Sequence, residues 1–137
     1  MKIRTTAVAI FAAAAISVPA AARDGQAETV APKFDQPITN VPGKSLIVVE
    51  VEYAPGAASP PHVHAKSAFI YAYVLSGEIE SKMNDEEARI FRAGESWHET
   101  PEARHQISRN ASRTKPAKLL AVFVVDSNDK PLTTPVK

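Results

Sequence analysis

The sequence predicts an all-β domain, a sandwich or barrel of seven or eight short strands, on three observations. Short runs that are β-branched, aromatic or alternating recur from position 45 onward. Turn-forming residues separate them: Pro55-Gly56, Ser76-Gly77, Asn84-Asp85, Ala93-Gly94 and the stretch 110–116. Beyond Ser45 no segment sustains an apolar period of about 3.6, which argues against a parallel sheet flanked by helices.

In chain order, Lys2 and Arg4 precede an apolar stretch over 5–18, followed by Pro19-Ala20-Ala21-Ala22. A charged start, a short apolar middle and a small-residue pair are the three parts of a secretory signal peptide. The apolar run falls short of the roughly 20 residues that span a bilayer. Cleavage after Ala22 leaves 115 residues with 14 basic and 15 acidic side chains, and a soluble periplasmic or secreted protein is expected. Residues 23–44 carry Pro32, Pro37 and Pro42, which remove backbone donors and disfavour helix before them, so an extended arm is expected. The domain proper is expected over 45–126, with strands at 46–53, 68–75, 78–83, 88–91, 96–99, 105–108 and 119–125, and a tail over 127–137.

A chain of 137 residues supports one compact domain. Sixteen basic against 15 acidic residues give no clustered excess for tracking phosphates, so no nucleic-acid partner is expected. The chain has no cysteine, which excludes disulfides, thiolate metal sites and lipoprotein anchoring. Any metal must then sit on His, Asp, Glu or backbone oxygen, and all four histidines fall between His62 and His105.

His62-Val63-His64 follows Pro60-Pro61. In an extended strand residues i and i+2 project from one face, so both imidazoles can address one point while Val63 faces away. An isolated pair also fits two surface histidines in a loop. His105 adds a third ring, placed after the turn 100–104 and a short strand that Gly94 opens.

These residues resemble the cupin superfamily, small jelly-roll barrels with a first motif G-x5-H-x-H-x3,4-E-x6-G and a second motif G-x5-P-x-G-x2-H-x3-N. Gly56, His62, His64 and Gly77 stand in the first, Gly94 and His105 in the second, with Asn110 just beyond, and the likeness covers about 45–125. The resemblance implies a cupin jelly-roll β-barrel with one divalent transition metal held by His62, His64 and His105. The usual glutamate is missing, because Ile70 stands where it belongs. Thr100 stands at the usual proline and Glu102 at the usual glycine, while Pro101 keeps the turn rigid.

Two neighbours could replace the missing ligand, His98 and Glu99, and strand alternation lets only one face inward. Glu99 is preferred, since it restores a histidine-plus-carboxylate set suited to Fe or Mn; three histidines with water would suit Zn, Cu, Ni and Fe alike. With Ile70 facing inward, Phe69, Tyr71, Tyr73 and Leu75 face outward as an apolar stripe, to be covered by the arm or by a second subunit in a homodimer. Trp97 is expected to pack beside the site, and Arg104 could meet an anionic ligand at the mouth. Three functions follow from the resemblance: a dioxygenase-type oxidoreductase on a small organic substrate; a non-catalytic small-molecule or metal-binding protein; and a metal-independent isomerase or lyase with a histidine base and Tyr71 or Tyr73 as acid.

Overall fold

The computed structural model describes residues 28–137, so the signal-peptide expectation lies outside the described residues. Among these are eleven strands and no helix: β1 (Glu28–Pro37), β2 (Lys44–Tyr53), β3 (Ala58–Ser59), β4 (His62–His64), β5 (Phe69–Ser76), β6 (Glu78–Met83), β7 (Arg89–Arg92), β8 (Ser96–Glu99), β9 (Arg104–Asn110), β10 (Ala117–Asp126) and β11 (Thr133–Pro135). They form two antiparallel sheets, β1-β2-β10-β5-β8 and β11-β4-β9-β6-β7, with β3 paired to β9. The chain is therefore an all-β double-stranded β-helix, the jelly roll that the motifs imply.

Alternation explains the central strands. In β2, Ile47, Val49, Val51 and Tyr53 are buried while Leu46, Val48, Glu50 and Glu52 turn out. Ile70, Ala72 and Val74 of β5 and Leu119, Ala121, Phe123 and Val125 of β10 complete that wall, and Ile79 and Phe91 meet it from the opposite sheet. Phe69, Tyr71, Tyr73 and Leu75 are exposed on the outer face. Gly77 joins β5 to β6 at a φ of +72°, where an added Cβ would lie 2.6 Å from the Pro116 carbonyl oxygen, so both conformation and space require glycine.

The structure differs from the sequence reading at both ends. The expected arm holds β1, which pairs with β2 from Glu28↔Tyr53 to Pro37↔Ser45 and skips register around Lys33. Its prolines are tolerated because β1 is an edge strand whose free side needs no ladder. The expected tail returns as β11 against β4, pairing Thr133 with His64 and Pro135 with His62. Neither segment alternates in hydrophobicity, because both are largely exposed.

Candidate metal centre

Backbone pairing brings the three histidines together. His62 lies opposite His105 in the β4–β9 ladder, and His64 follows His62 by two residues on the same face. One ring nitrogen from each of His62, His64 and His105 lies within 4.8 Å of the others. The His62 ring centroid is 4.8 Å from that of His64 and 5.0 Å from that of His105. His62 and His105 are buried and His64 is partly so. The opposite sheet supplies Glu99, which is 4% exposed and sits beside Ile70 in the β5–β8 ladder.

Second partners set the orientation of each ring. His62 Nδ1 donates to the Pro60 carbonyl at 2.8 Å, which turns Nε2 toward the cluster. His64 Nδ1 lies 3.1 Å from the Leu132 carbonyl and from Thr133 Oγ1, so the C-terminal segment orients this ring. His105 Nε2 bonds Ser81 Oγ at 2.9 Å, leaving Nδ1 turned to Glu99 at 3.2 Å. Burial lowers the pKa of His62 to about 4, with the other two rings adding to the effect, so it is neutral and carries a free lone pair. For Glu99 burial opposes ionisation, but the nearby His105 and His64 outweigh it and hold the carboxyl below the ordinary carboxylate range.

Glu99 provides the test of whether a metal fits. Its Oε1 accepts from Trp97 Nε1 at 3.2 Å. Its Oε2 is buried and has no hydrogen-bond partner, although His64 Nε2 is only 3.1 Å away. With Nδ1 turned to the Leu132 carbonyl, His64 Nε2 faces that oxygen, and a cation held between the two atoms would satisfy both. Two ligands at right angles on an ion, each bonded at about 2.2 Å, lie about 3.1 Å from each other. The separations from Glu99 to His64 and His105 match that spacing.

The other residues singled out by sequence fall as follows. His98 is exposed on the outer face and stacks on Phe69 at 5.6 Å, so it does not join the cluster. Trp97 packs on Phe91 at 4.8 Å and turns its edge to His105. Arg104 is exposed, does not line the cavity, and lies 3.5 Å from the Lys137 carbonyl. Asn110 is buried as a loop clasp, donating to the Ala54 and Lys115 carbonyls and accepting from the Ser112 amide. Tyr71 and Tyr73 face away from the barrel interior. Sequence reasoning missed Tyr53, Ser59 and Ser108, whose hydroxyls line the same cavity. The available signal was a tyrosine on the inward phase of the alternating strand over 46–53.

The cavity that receives the cluster has a volume of about 360 Å³, within the range of small-molecule sites. Val49, Val51, Ile70, Ala72, Leu119 and Phe123 give it an apolar wall, with the histidines and Glu99 at one place on it.

This chain belongs to the Cupin_2 family, described as a cupin domain, whose model matches residues 49–123. No curated protein matches the sequence. A Klebsiella pneumoniae conserved protein with a double-stranded beta-helix domain superposes with a TM-score of 0.64 at 19% identity, covering 82% of this chain and 86% of that one. The Cupin_2 domain of an XRE family transcriptional regulator from Enterobacter cloacae gives 0.58 at 25% identity, covering 72% and 96%. Oxalate oxidase in complex with the substrate analogue glycolate gives 0.63 at 25% identity; the match covers 88% of this chain and only 57% of that enzyme. The DMSP lyase DddQ from Ruegeria pomeroyi shares the fold at 0.57 and 21% identity, over 66% of this chain and 43% of the lyase.

Proposed function

We propose that this chain holds one divalent transition metal on His62, His64, His105 and Glu99 and acts as a dioxygenase-type oxidoreductase on a small organic substrate. The observation that carries the site is the buried Glu99 Oε2, which has no hydrogen-bond partner and lies 3.1 Å from a histidine nitrogen. Three imidazoles and one carboxylate suit Fe or Mn, with Zn, Ni and Cu accommodated by the same rings. When bound, such an ion supplies Lewis acidity and, if redox-active, an electron path to O2. The apolar cavity selects a substrate with a hydrocarbon body, and the likeness to oxalate oxidase supports oxidation as the reaction class. The same apolar lining favours a second reading, a binding protein without turnover.

We further propose that the mature protein begins at Arg23, is exported, and forms a homodimer through the outer face of the sheet that contains β5. Metal analysis of protein purified without added metal tests the site: about one equivalent is expected, with loss in His62→Ala and His64→Ala. Full occupancy in those variants overturns the assignment. O2 uptake with Fe and phenolic or diketone substrates supports the oxidoreductase, whereas tight binding without uptake supports the binding protein.

A further inference from the structure

A chain of hydroxyls runs along the cavity wall, and its direction follows from proton counting. Ser59 Oγ donates to Glu28 Oε1 at 2.6 Å. A serine carries one hydroxyl proton, so the 2.5 Å bond between Ser59 and Tyr53 must be donated by Tyr53 Oη. That spends the tyrosine proton, and the 2.8 Å bond to Ser108 is therefore donated by Ser108 Oγ. The order is Ser108, Tyr53, Ser59, Glu28, drawn from β9, β2, β3 and β1 and ending on a carboxylate. All four residues line the cavity that holds the histidine cluster. Ser108 alone would satisfy a buried tyrosine hydroxyl, so the continuation through Ser59 to a carboxylate on the edge strand exceeds what burial demands.

We propose that Tyr53 exchanges a proton with the substrate and that Ser59 and Glu28 carry that proton to and from the edge of the barrel. The proposal rests on the metal-site reading and narrows its substrate class to hydroxylic compounds, phenols, enols or alcohols, which lose a proton when their oxygen meets a divalent ion. His62, His64, His105 and Glu99 are committed to the cluster, whereas Tyr53 Oη keeps one unused lone pair. In the step, the substrate O–H proton passes to Tyr53 Oη, the Tyr53 proton to Ser59 Oγ, and the Ser59 proton to Glu28 Oε1. One O–H bond breaks on the substrate and one forms on Glu28; no electrons change hands, and the reverse sequence returns the proton.

The test begins with the wiring, on the zinc-loaded protein carrying 13Cζ-labelled tyrosine. Three tyrosines are present, and Tyr53→Phe assigns the relevant signal. The ionisable groups lining the cavity with Tyr53 are Glu28, His62, His64, Glu99 and His105, so the source of any inflection must be identified. The Tyr53 signal is expected to shift at the pH where the Glu28 carboxyl 13C signal titrates, and to lose that inflection in Glu28→Gln and Ser59→Ala. Glu28→Gln keeps an acceptor oxygen for Ser59 and is the variant that preserves the fold. A Tyr53 signal that ignores the Glu28 titration, or an inflection that survives both variants, overturns the proposal. The titration is repeated on metal-free protein: failure to retain zinc counts against the metal site, while the wiring result stands by itself.

Catechol then serves as the hydroxylic probe, its deprotonation on binding followed by stopped-flow ultraviolet absorbance. The rate is expected to fall about tenfold or more in Glu28→Gln and Tyr53→Phe at unchanged zinc content, with added acetate restoring only the former. Equal rates in all variants, or no catechol binding by zinc-loaded wild-type protein, overturn the proton-transfer role or the substrate class respectively.

Discussion

Ile70 and Glu99 stand opposite each other on β5 and β8, so the carboxylate absent at position 70 has a counterpart on the neighbouring strand. Directly opposed residues place their Cβ atoms about 5 Å apart, so a side chain moved to the neighbouring strand can still reach the same region. Glu99→Gln is therefore expected to weaken metal binding by on the order of 10–100-fold, read by competition with a metallochromic indicator. Combining it with Ile70→Glu should recover much of the loss, and a double variant no better than the single one would deny that the two positions are equivalent. His62 adds a pH signature. Its pKa falls from the ordinary histidine value of 6.5 to about 4 on folding, so below pH 6.5 the unfolded chain binds a proton that the native protein refuses. The metal-free protein should hold its full stability above that pH and lose on the order of 3 kcal/mol between 6.5 and 4. Urea midpoints across that window check the loss, and His62→Asn should flatten it.

Short elements, rather than the long strands, aim the side chains of the cluster. Thr100 to Ala103 forms a turn closed by the Ala103 amide on the Thr100 carbonyl at 3.1 Å, with Pro101 at its second position and Glu102 at a φ of +64°. That is the type II pattern, whose third position favours glycine. Left-handed backbone costs a non-glycine residue roughly 1–2 kcal/mol, and glycine's extra unfolded-state freedom costs about 0.5–1 kcal/mol, so relief of strain wins narrowly. Glu102→Gly is expected to stabilise the fold by under about 1 kcal/mol, seen as a melting temperature raised by a few degrees. A lowered melting temperature would show that the exposed Glu102 side chain contributes something the turn geometry does not reveal. Immediately afterwards β9 skips register, pairing Lys82 with Ile107 but Met83 with His105. Strict alternation would put His105 and Ser108 on opposite faces; the irregularity at Gln106 lets both be buried. At the other end, the Leu132 carbonyl just before β11 and Thr133 Oγ1 at its start together orient the His64 ring.

At the scale of the whole molecule, the two faces of the five-stranded sheet have opposite problems. The inner face closes the core and cavity. The outer face carries an apolar row across all five strands, Phe34, Val48, Val122, Tyr71 and the ring of His98, aligned by ladder pairing. Phe34, Phe69, Tyr71, Tyr73 and Leu75 are each more than a third exposed, and β1 covers none of the β5 stripe because it lies at the far edge of the sheet. A patch of this kind is characteristic of an interaction surface. Size exclusion with light scattering should therefore find a dimer, and the pair Phe69→Glu with Tyr71→Glu should yield monomer with its metal content intact. A monomeric wild-type protein would overturn the dimer. Among the described residues no helix is long and apolar enough to cross a membrane.

The sequence by itself determined the class of fold, the three histidines and the facing of β5, because each is written locally: in alternation, in turn residues, and in a spacing of two along a strand. It also offered two adjacent residues as candidates for the missing ligand, of which strand phase permits one to face inward. Which one faced inward was decided by the β5–β8 register, since pairing fixes phase across strands that local pattern leaves free. Tertiary structure alone decided the remainder. Arm and tail became β1 and β11 because exposed edge strands gain their order from a neighbour's backbone rather than from any hydrophobic period of their own. The chain from Ser108 to Glu28 was invisible in sequence for the same reason: its members are up to 80 residues apart and meet only when the barrel closes.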